Sequence, residues 1–219
     1  MGYNPSHEID LLRKFPKGKR PERIATPEDQ HVAKQFGKAF FDGERRYGYG
    51  GYSYDPKYWS GVVRDFVDWY GRFKSILDVG CAKGFMLYEF KKLLPDLKVY
   101  GLDVSDYAVA DAHPEVRDCI EQGDARWLPF PNKHVELVVS INTIHNLDRK
   151  GVVQALKELQ RVGQDAFISV DAYKTQAERQ AMLQWNLTAQ TILHVDEWRG
   201  VFHYAGYTGD YTFWNPLWR

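Results

Sequence analysis

Short apolar runs alternate with helical stretches through most of this chain, and this alternation restricts the fold more than any other feature of the sequence. From Tyr58 onward each run is about the length of one strand and leads into a loop. Strands that alternate with helices form a mainly parallel sheet with helices on both faces. We therefore expect an α/β fold, a three-layer doubly wound sheet of six to seven strands. The first five predicted strands are residues 75–80, 98–103, 118–124, 135–142 and 166–172.

The segments between the strands carry helix signals of their own. A helix that ends at Gly71 leads into the first strand. Between the strands, one helix ends before Pro95, a second begins at Ser105, and a third ends at Gly163. Each is expected to return the chain to the same edge of the sheet through a right-handed crossover. After the fifth strand we predict two more helices and a sixth strand, over residues 175–192, 194–206 and 207–214.

Residues 1–58 differ from the rest of the chain and are predicted to be an N-terminal extension of the domain at 59–219. Four prolines interrupt the early periodicity. A basic run between Arg13 and Arg23 is interpreted as a solvated tail, with a phosphate-binding element as the alternative. Thr26 offers an N-cap for a helix that continues to about Phe40. The helix is followed by RRYGYGGYSYDPKYW, where three glycines and five tyrosines predict an ordered aromatic loop.

The charge and the cysteines of the chain disfavour several classes of protein. Lysine and arginine number 29, as do aspartate and glutamate, so the net charge that drives non-specific nucleic-acid binding is missing. Cys81 and Cys119 form neither a disulfide framework nor a paired zinc motif. No apolar run reaches the roughly 20 residues that span a bilayer, and the first residues lack the apolar core of a signal peptide. We expect a soluble, cytoplasmic protein without a nucleic-acid or membrane partner.

The sequence ILDVGCAKGF joins the first predicted strand directly to a helix. Asp78 closes the strand, and Gly80 and Gly84 flank a turn in which a bulky side chain would block the approach of a ligand to the backbone. A dinucleotide-binding loop would carry one more glycine, which lets a pyrophosphate reach the helix N-terminus. That glycine is missing here, and Asp78 would repel a second anion. The loop therefore predicts a nucleoside-binding edge.

Residues 78–84 resemble the first motif, D-x-G-x-G-x-G, of the class I S-adenosylmethionine-dependent methyltransferases. The middle glycine is Ala82 in this chain, and because a methyl group is the smallest possible change we expect a slightly tighter loop that still binds. The resemblance covers about residues 59–214 in the order of elements. It implies a methyltransferase domain with S-adenosylmethionine as the cofactor, bound by a loop that comprises Gly80, Cys81, Ala82 and Gly84.

The resemblance also implies roles for three carboxylates. Asp78 would hold the methionine amino group, although it could instead interact with the dipole of the following helix. Asp103 lies 23 residues after Gly80 and would accept both ribose hydroxyls. Asp124 and the amide of Ala125 would bind adenine, although Asp124 could instead be a turn residue. Apolar walls for the adenine would come from Leu102, Val104 and Trp127, each of which could equally belong to the core.

Polar residues after the fourth and fifth strands are the candidates for catalysis. Ligands of open α/β sheets bind at the carboxyl ends of the strands, where Asn142, His145 and Asp171 lie. His145 has the intrinsic pKa of a base at neutral pH and would deprotonate or align the acceptor, with Asp171 as the alternative base. His145 could also be structural, and Asn142 would orient the ligands. His194 and His203 are interpreted as structural, and no metal-ligand cluster is predicted.

The aromatic loop is predicted to fold over the strand ends as a lid. Tyr47, Tyr49, Tyr52 and Trp59 could then surround the methionine end of the cofactor, because a positively charged sulfur favours aromatic faces. Arg46 could bind the carboxylate of the cofactor or an anionic substrate. In the alternative interpretation the tyrosines only pack and form hydrogen bonds within the loop.

These features favour an enzyme that transfers a methyl group from S-adenosylmethionine to a small molecule, at a hydroxyl oxygen. The alternative is a non-catalytic S-adenosylmethionine-binding module that regulates or scaffolds a partner. An NAD-dependent oxidoreductase would share the topology but would require a different glycine loop and a Tyr-x-x-x-Lys pair or a comparable one, and the sequence offers neither at a suitable place.

The edge of the sheet is a separate question. The class I sheet usually ends in a hairpin whose last strand is antiparallel, whereas this sequence reaches residue 219 soon after the predicted sixth strand. A missing seventh strand would leave an open edge. Trp214 and Trp218, the N-terminal segment or a second subunit of a homodimer could cover it.

Overall fold

The computed structural model describes residues 7–16, 23–215 and 217–218, so that Lys17, Lys19 and Arg20 of the basic run lie outside the described residues. A seven-stranded sheet forms its centre. The strands are β1 (Ser75–Val79), β2 (Lys98–Asp103), β3 (Ile120–Gln122), β4 (Val135–Ile141), β5 (Gly163–Tyr173), β6 (Leu193–His194) and β7 (Asp210–Trp214). Their order is β3-β2-β1-β4-β5, with both β6 and β7 paired to β5. All of these pairings are parallel.

Helices cover both faces of the sheet and give the three layers expected from the sequence. They are α1 (Pro27–Ala33), α2 (Lys38–Asp42), α3 (Pro56–Tyr70), α4 (Phe85–Leu93), α5 (Asp106–Ala110), α6 (Arg149–Val162), α7 (Gln176–Trp185) and α8 (Val195–Ala205). Successive strand residues point to opposite faces, so Ile76 packs in one core with α3 and α4, and Leu77 packs in the other with α6 and α8. The predicted class I fold is confirmed.

Most strands lie within a few residues of their predicted positions, but three helices differ from the prediction. The N-terminal helix is split into α1 and α2, because Phe36 between them has a left-handed backbone with φ of 49°. α3 begins at Pro56 with Asp55 as its N-cap, so the end of the aromatic loop is helical and the helix crosses the predicted boundary at residue 58. The helix predicted over 175–192 ends at Trp185, because Asn186 is extended.

The last strand, β7, corresponds to the predicted sixth strand and runs parallel to β5. The seventh strand of the sheet is the two-residue β6, which the sequence analysis did not predict. An antiparallel last strand is not found among the described residues. The N-terminal segment covers the free edge of β7: Glu8 forms a parallel bridge to Tyr211, and the N–H of Ile9 donates to the Tyr211 carbonyl over 2.8 Å. Trp218 donates instead to Glu178 of α7.

The carboxyl ends of the central strands bring the predicted polar residues to one edge of the sheet. Asp78 lies near the end of β1, Asp103 ends β2, Asn142 follows β4, and Asp171 lies near the end of β5. None of the helices within the described ranges is long and apolar enough to cross a bilayer.

Candidate functional site

A cavity of about 690 Å³ lies between the carboxyl edge of the sheet and the N-terminal segment. Its volume is in the range of small-molecule sites. Most residues predicted from the sequence line it: Tyr49, Tyr52, Trp59, Asp78, Gly80, Cys81, Ala82, Leu102, Asp103, Val104, Asp124, Ala125, Asn142, His145 and Asp171. Four other candidates, Arg46, Tyr47, Gly84 and Trp127, are not among the described residues that line it.

The turn after β1 is held tightly against neighbouring backbone. The N–H of Gly80 donates to the Leu102 carbonyl over 2.7 Å, and Gly80 has a positive φ of 85°. A Cβ atom at this position would overlap the Thr143 side chain, with 2.6 Å to the Thr143 Cβ. Only glycine satisfies both requirements, so the backbone of this turn lies exposed to the cavity without a side chain in the way.

Ala82 keeps the conformation that the missing glycine would have. Its φ is 50°, in the left-handed region, and its N–H donates to Asp103 Oδ2 over 2.7 Å. Gly84 lies outside the cavity lining and has a packing role. It is the left-handed N-cap of α4, and a Cβ there would collide with Val116 and Ile120. Gly84 thus allows α4 to pack closely on the neighbouring strand and is not a lining residue.

Asp78 and Asp103 form a pair of buried carboxylates with different surroundings. Asp103 accepts from the N–H groups of Ala82 and Ser105, the latter over 2.9 Å. Burial raises its pKa and these N–H groups oppose the rise. The Asp78 side chain, only 4% exposed, forms no hydrogen bond or ion pair with any described residue, and its burial and the charge of Asp103 raise its pKa to about 8. A cation would relieve this arrangement.

Asp124 is bound by a residue that the sequence analysis did not identify. Arg126 donates to the Asp124 carboxylate from Nε over 2.9 Å and from Nη2 over 2.5 Å, and the backbone N–H of Arg126 donates to the same carboxylate. The ion pair lowers the pKa of Asp124. Asp124 and Ala125 both line the cavity, and their contact with adenine stays a prediction. The sequence could have indicated this ion pair, because an arginine follows the aspartate by two residues within a turn.

His145 is fixed in a way that changes its predicted role. It lies in the 3-10 turn Ile144–Asn146 and is 4% exposed. Its Nδ1 accepts the N–H of Asp171 over 3.0 Å, and its Nε2 is 3.8 Å from Asp171 Oδ2. With Nδ1 as the acceptor, the proton of the neutral ring is on Nε2. Burial also lowers the pKa of His145. The ring is therefore neutral and can donate, but its lone pair is not available to remove a proton from an acceptor.

Two asparagines lie close to this histidine in the sequence, and their side-chain oxygens differ in hydrogen bonding. Asn142 has a left-handed backbone with φ of 51°, and its Oδ1 accepts from Ser169 Oγ over 2.6 Å. Asn146 lines the cavity, and its Oδ1 is buried without a hydrogen-bond partner in the part of the chain that the structure describes. The carbonyl of Asn146 is held by Gln190 Nε2 over 2.8 Å. A buried acceptor without a donor is costly, so Asn146 Oδ1 is a position at which a ligand hydroxyl or amine can donate.

The aromatic loop lies over the strand ends as a layer of rings. Tyr52 stacks on Phe85 at 5.1 Å between ring centroids, and Tyr49 lies 4.5 Å from Tyr52. Burial and the charges of Tyr49, Asp78 and Asp103 raise the pKa of Tyr52 well above its usual value. Its ring therefore stays neutral next to the two carboxylates.

Two of the predicted lid residues point elsewhere. Arg46 is bound to Asp29 over 2.8 Å, and its guanidinium lies over the ring of Tyr47 at 4.9 Å. Both are outside the cavity, because the ion pair draws them toward α1. Trp59 lines the cavity from α3 and packs edge-on against Phe15.

A buried lysine of the glycine loop holds the N-terminal segment in place. Lys83 Nζ lies 2.6 Å from Asp42 Oδ2 on α2 and 2.8 Å from Asp111 Oδ2 after α5. Asp42 also accepts from Tyr107 Oη and from the N–H of Tyr52, both over 2.8 Å. Burial opposes the charge on Lys83, but the two carboxylates outweigh it and raise its pKa. The sequence analysis assigned no role to this lysine.

Comparison with known proteins agrees with this geometry. Residues 76–165 match the family model described as a methyltransferase domain. The chain is 31% identical over 97 residues to the uncharacterized methyltransferase YdaC of Bacillus subtilis, a match that covers 42% of this chain and 54% of that protein. It is 32% identical over 111 residues to an Encephalitozoon cuniculi protein described as a methyltransferase, which covers 50% of this chain and 49% of that protein.

The solved structures give the same fold. A S-adenosylmethionine-dependent methyltransferase from Archaeoglobus fulgidus aligns with a TM-score of 0.54 and 16% identity, over 67% of this chain and 66% of that chain. Residues 76–165 thus match the model of a methyltransferase domain, and the fold of the chain is similar to that of the Archaeoglobus fulgidus protein. The alignments span about half the length of the curated relatives.

Proposed function

We propose that this protein is an S-adenosylmethionine-dependent methyltransferase that acts on a hydroxyl oxygen of a small molecule. The observation that carries the proposal is the state of Asp78. Its carboxylate is buried in the cavity wall, has no partner among the described residues and has a pKa raised to about 8. A bound cation stabilises such a carboxylate, and the amino group of the cofactor's methionine is a cation of suitable size.

The other lining residues fit the rest of the cofactor. Asp103 is oriented by two backbone N–H groups and keeps acceptor capacity for hydroxyl groups. Gly80 leaves the turn free of a side chain, and Val104 and Ala125 line the part of the cavity next to β2 and β3. When bound, S-adenosylmethionine supplies a methyl group that is already activated by a positively charged sulfur. The task of the chain is therefore to align the acceptor and to exclude water.

We assign removal of the acceptor proton to Asp171. Its side chain is buried, lies at the cavity wall near the end of β5, and is 3.8 Å from His145 Nε2. The Nε2–H of His145 can donate to an oxygen but cannot take a proton from it, since Nδ1 already accepts from the backbone. Asn146 Oδ1 offers a place to donate to a second hydroxyl or an amine of the acceptor, while the reacting hydroxyl donates to Asp171. A carboxylate base at hydrogen-bond reach is sufficient for a hydroxyl acceptor.

The same histidine geometry favours a second candidate, a binding module without turnover. The side chain that the sequence predicts as the base uses its lone pair on Asp171 N–H. If Asp171 does not act as a base, the site would bind S-adenosylmethionine and transfer nothing to oxygen. Binding and turnover must therefore be measured separately.

Calorimetry with S-adenosylhomocysteine tests the assignment of Asp78. Binding of its ammonium group requires the ionised carboxylate, so below pH 8 binding releases a proton. We expect the binding enthalpy at pH 7 to differ between phosphate and Tris buffers, and the affinity to rise between pH 6 and pH 8. In Asp78→Asn the affinity should fall at least about tenfold and lose both dependences. The exposed Asp68→Asn is the matched control. Undiminished affinity in Asp78→Asn would contradict the proposal.

The raised pKa of Asp78 also makes the stability of the protein depend on pH, which provides an independent check of the assignment. The ordinary pKa of an aspartate is 3.8 and that of folded Asp78 is about 8. Between these values the folded state holds more protons than the unfolded state, so the free energy of unfolding falls as pH rises. We expect a steeper fall in the ligand-free wild type than in Asp78→Asn, in which Asp103 is the one member of the pair that still has a raised pKa. Urea denaturation from pH 5 to pH 8.5 measures the difference.

Turnover separates the two candidate functions. Phenols, sugars and other hydroxyl compounds are tested as acceptors, and the release of S-adenosylhomocysteine is measured. We expect activity with some of these compounds. Asp171→Asn should lower this activity at least about a hundredfold and leave the cofactor affinity unchanged. Binding of S-adenosylmethionine without turnover on the whole panel would favour the binding module.

A further inference from the structure

Two arginines of the N-terminal segment line the cavity side by side. Arg23 Nη2 donates to the carbonyls of Arg45 and Gly48, at 3.1 Å and 3.3 Å, and Arg45 Nη1 donates to the same Gly48 carbonyl. Both side chains belong to the lining. The shared carbonyl thus fixes two guanidinium groups close together at the wall of the cavity.

Neither guanidinium is neutralised. No carboxylate among the described residues forms an ion pair with Arg23 or Arg45, in contrast to Arg46, which is bound to Asp29 at 2.8 Å. Burial and the charge of Arg45 lower the pKa of Arg23, and the charge of Asp29 opposes this. The hydrogen bonds of Asp29, however, go to Arg46 and Thr26. Two neighbouring positive charges at the cavity, one on the half-buried Arg23 and one on the exposed Arg45, favour binding of an anion.

The surroundings of this pair are aromatic. The Arg23 guanidinium lies 5.2 Å from the centre of the Trp185 ring, and Trp185 lies 6.0 Å from Trp214. All three side chains line the cavity, as does Leu187. An anion at Arg23 would therefore lie next to ring surface, which suits a planar apolar body that carries the charge.

The position of the pair assigns it to the acceptor half of the cavity. The N–H of Ala25 donates to the Gln184 carbonyl over 2.8 Å, and Gln30 Nε2 donates to the Asn186 carbonyl over 3.1 Å. These bonds attach the segment that carries Arg23 to the end of α7, the helix that follows β5. Asp78 and Asp103, which we assign to the cofactor, lie on β1 and β2 instead.

We propose that Arg23 and Arg45 form a subsite for an oxyanion of the methyl acceptor, and that the acceptor is an aromatic hydroxyl compound with a carboxylate or similar group, its ring next to Trp185 and Trp214. This inference rests on the proposed function for the identity of the acceptor. The subsite itself is a claim about ligand charge and can be tested without turnover. The other source of a carboxylate is the methionine end of the cofactor, and the test includes it.

Binding of matched charged and neutral probes tests the subsite. The probes are 2-naphthoate against 2-naphthamide and benzoate against benzamide, titrated by calorimetry into the protein alone and into the protein saturated with S-adenosylhomocysteine. We expect each carboxylate to bind at least about tenfold more tightly than its amide. Arg23→Gln/Arg45→Gln should remove this preference. Arg64→Gln, an exposed arginine of α3, should keep it.

Two results would overturn the inference. One is equal affinity of both carboxylates and their amides, or no binding of either pair, in the wild type. The other is a double variant that loses affinity for S-adenosylhomocysteine but not for 5′-methylthioadenosine, which lacks the amino acid, since the arginines would then bind the cofactor's carboxylate. Failure of the proposed function is a different result: no binding of S-adenosylhomocysteine at all, with the anion preference of the protein alone still measurable.

Discussion

The two halves of the cavity are built in different ways. On the side of β1 and β2, the backbone forms the site: Gly80 and Ala82 have left-handed conformations, and Asp103 is oriented by N–H groups. On the side of β4 and β5, side chains from distant parts of the chain meet, such as Arg23 and Trp185. The first half depends on a few local dihedral angles, and the second depends on how the N-terminal segment docks.

The largest effect is expected from a substitution in the backbone half. In Gly80→Ala the new Cβ would overlap Thr143 at a positive φ, so strain and overpacking together should cost about 4 kcal/mol of the free energy of unfolding. Affinity for S-adenosylhomocysteine should fall more than about a hundredfold. Urea denaturation and calorimetry measure the two quantities.

A second glycine provides the control for this substitution. Gly200 lies in α8, and a Cβ there would meet nothing within 4 Å, so Gly200→Ala should raise the free energy of unfolding by about 0.5 to 1 kcal/mol. Combining Gly80→Ala with Thr143→Gly should recover part of the lost stability. If Gly80→Ala alone were harmless, the claim that the backbone defines this half would be wrong.

A smaller effect is expected from cutting the link between the two halves. In Lys83→Met the ion pairs to Asp42 and Asp111 are lost, and since both carboxylates are partly exposed we expect a cost of about 2 kcal/mol. The N-terminal segment should loosen while the sheet stays intact. Hydrogen exchange over residues 38–52 should speed up at least about tenfold, with exchange in β1 and β4 unchanged.

The exposed Lys157→Met on α6 serves as the comparison for this variant. It should change neither the exchange rates nor the stability by a measurable amount. A uniform increase of exchange in Lys83→Met, including β1 and β4, would mean that the two halves open as one unit.

The smallest effect is expected at Arg126. Its ion pair with Asp124 is partly exposed, with 44% and 30% of the two side chains accessible, and such pairs contribute less than about 1 kcal/mol. Arg126→Gln should therefore reduce the affinity for S-adenosylhomocysteine by less than about fivefold. A loss as large as that of Asp78→Asn would show that the adenine end depends on side chains as much as the acceptor half does.

The contrast between the halves also explains what the sequence could predict. The strands and the turn around Gly80 are encoded within a few neighbouring residues, through apolar alternation and the need for a positive φ. The ordered aromatic loop followed from composition, because such a segment is too apolar for a solvated linker, and its role as a lid stays a prediction. Most of the residues that these local signals identified line the cavity.

The remaining features depend on contacts that no local pattern encodes. The ion pair of Lys83 with Asp42 spans 41 residues, and Arg46 rather than Arg45 looked like the anion-binding residue until the position of Asp29 was known. The lone pair of His145 is used by a backbone N–H 26 residues away. Gly84 resembled a ligand-binding residue, but its lack of a side chain serves the packing of Ile120.

The bridge between Glu8 and Tyr211 has a consequence for synthesis on the ribosome. The residues around Glu8 leave the exit tunnel about 200 residues before the strand with which they pair. Until β7 has been made, Ile9 has no backbone carbonyl to which it can donate, and Trp214 is missing from the wall of the cavity. A nascent chain can therefore complete the glycine turn long before it can enclose a ligand.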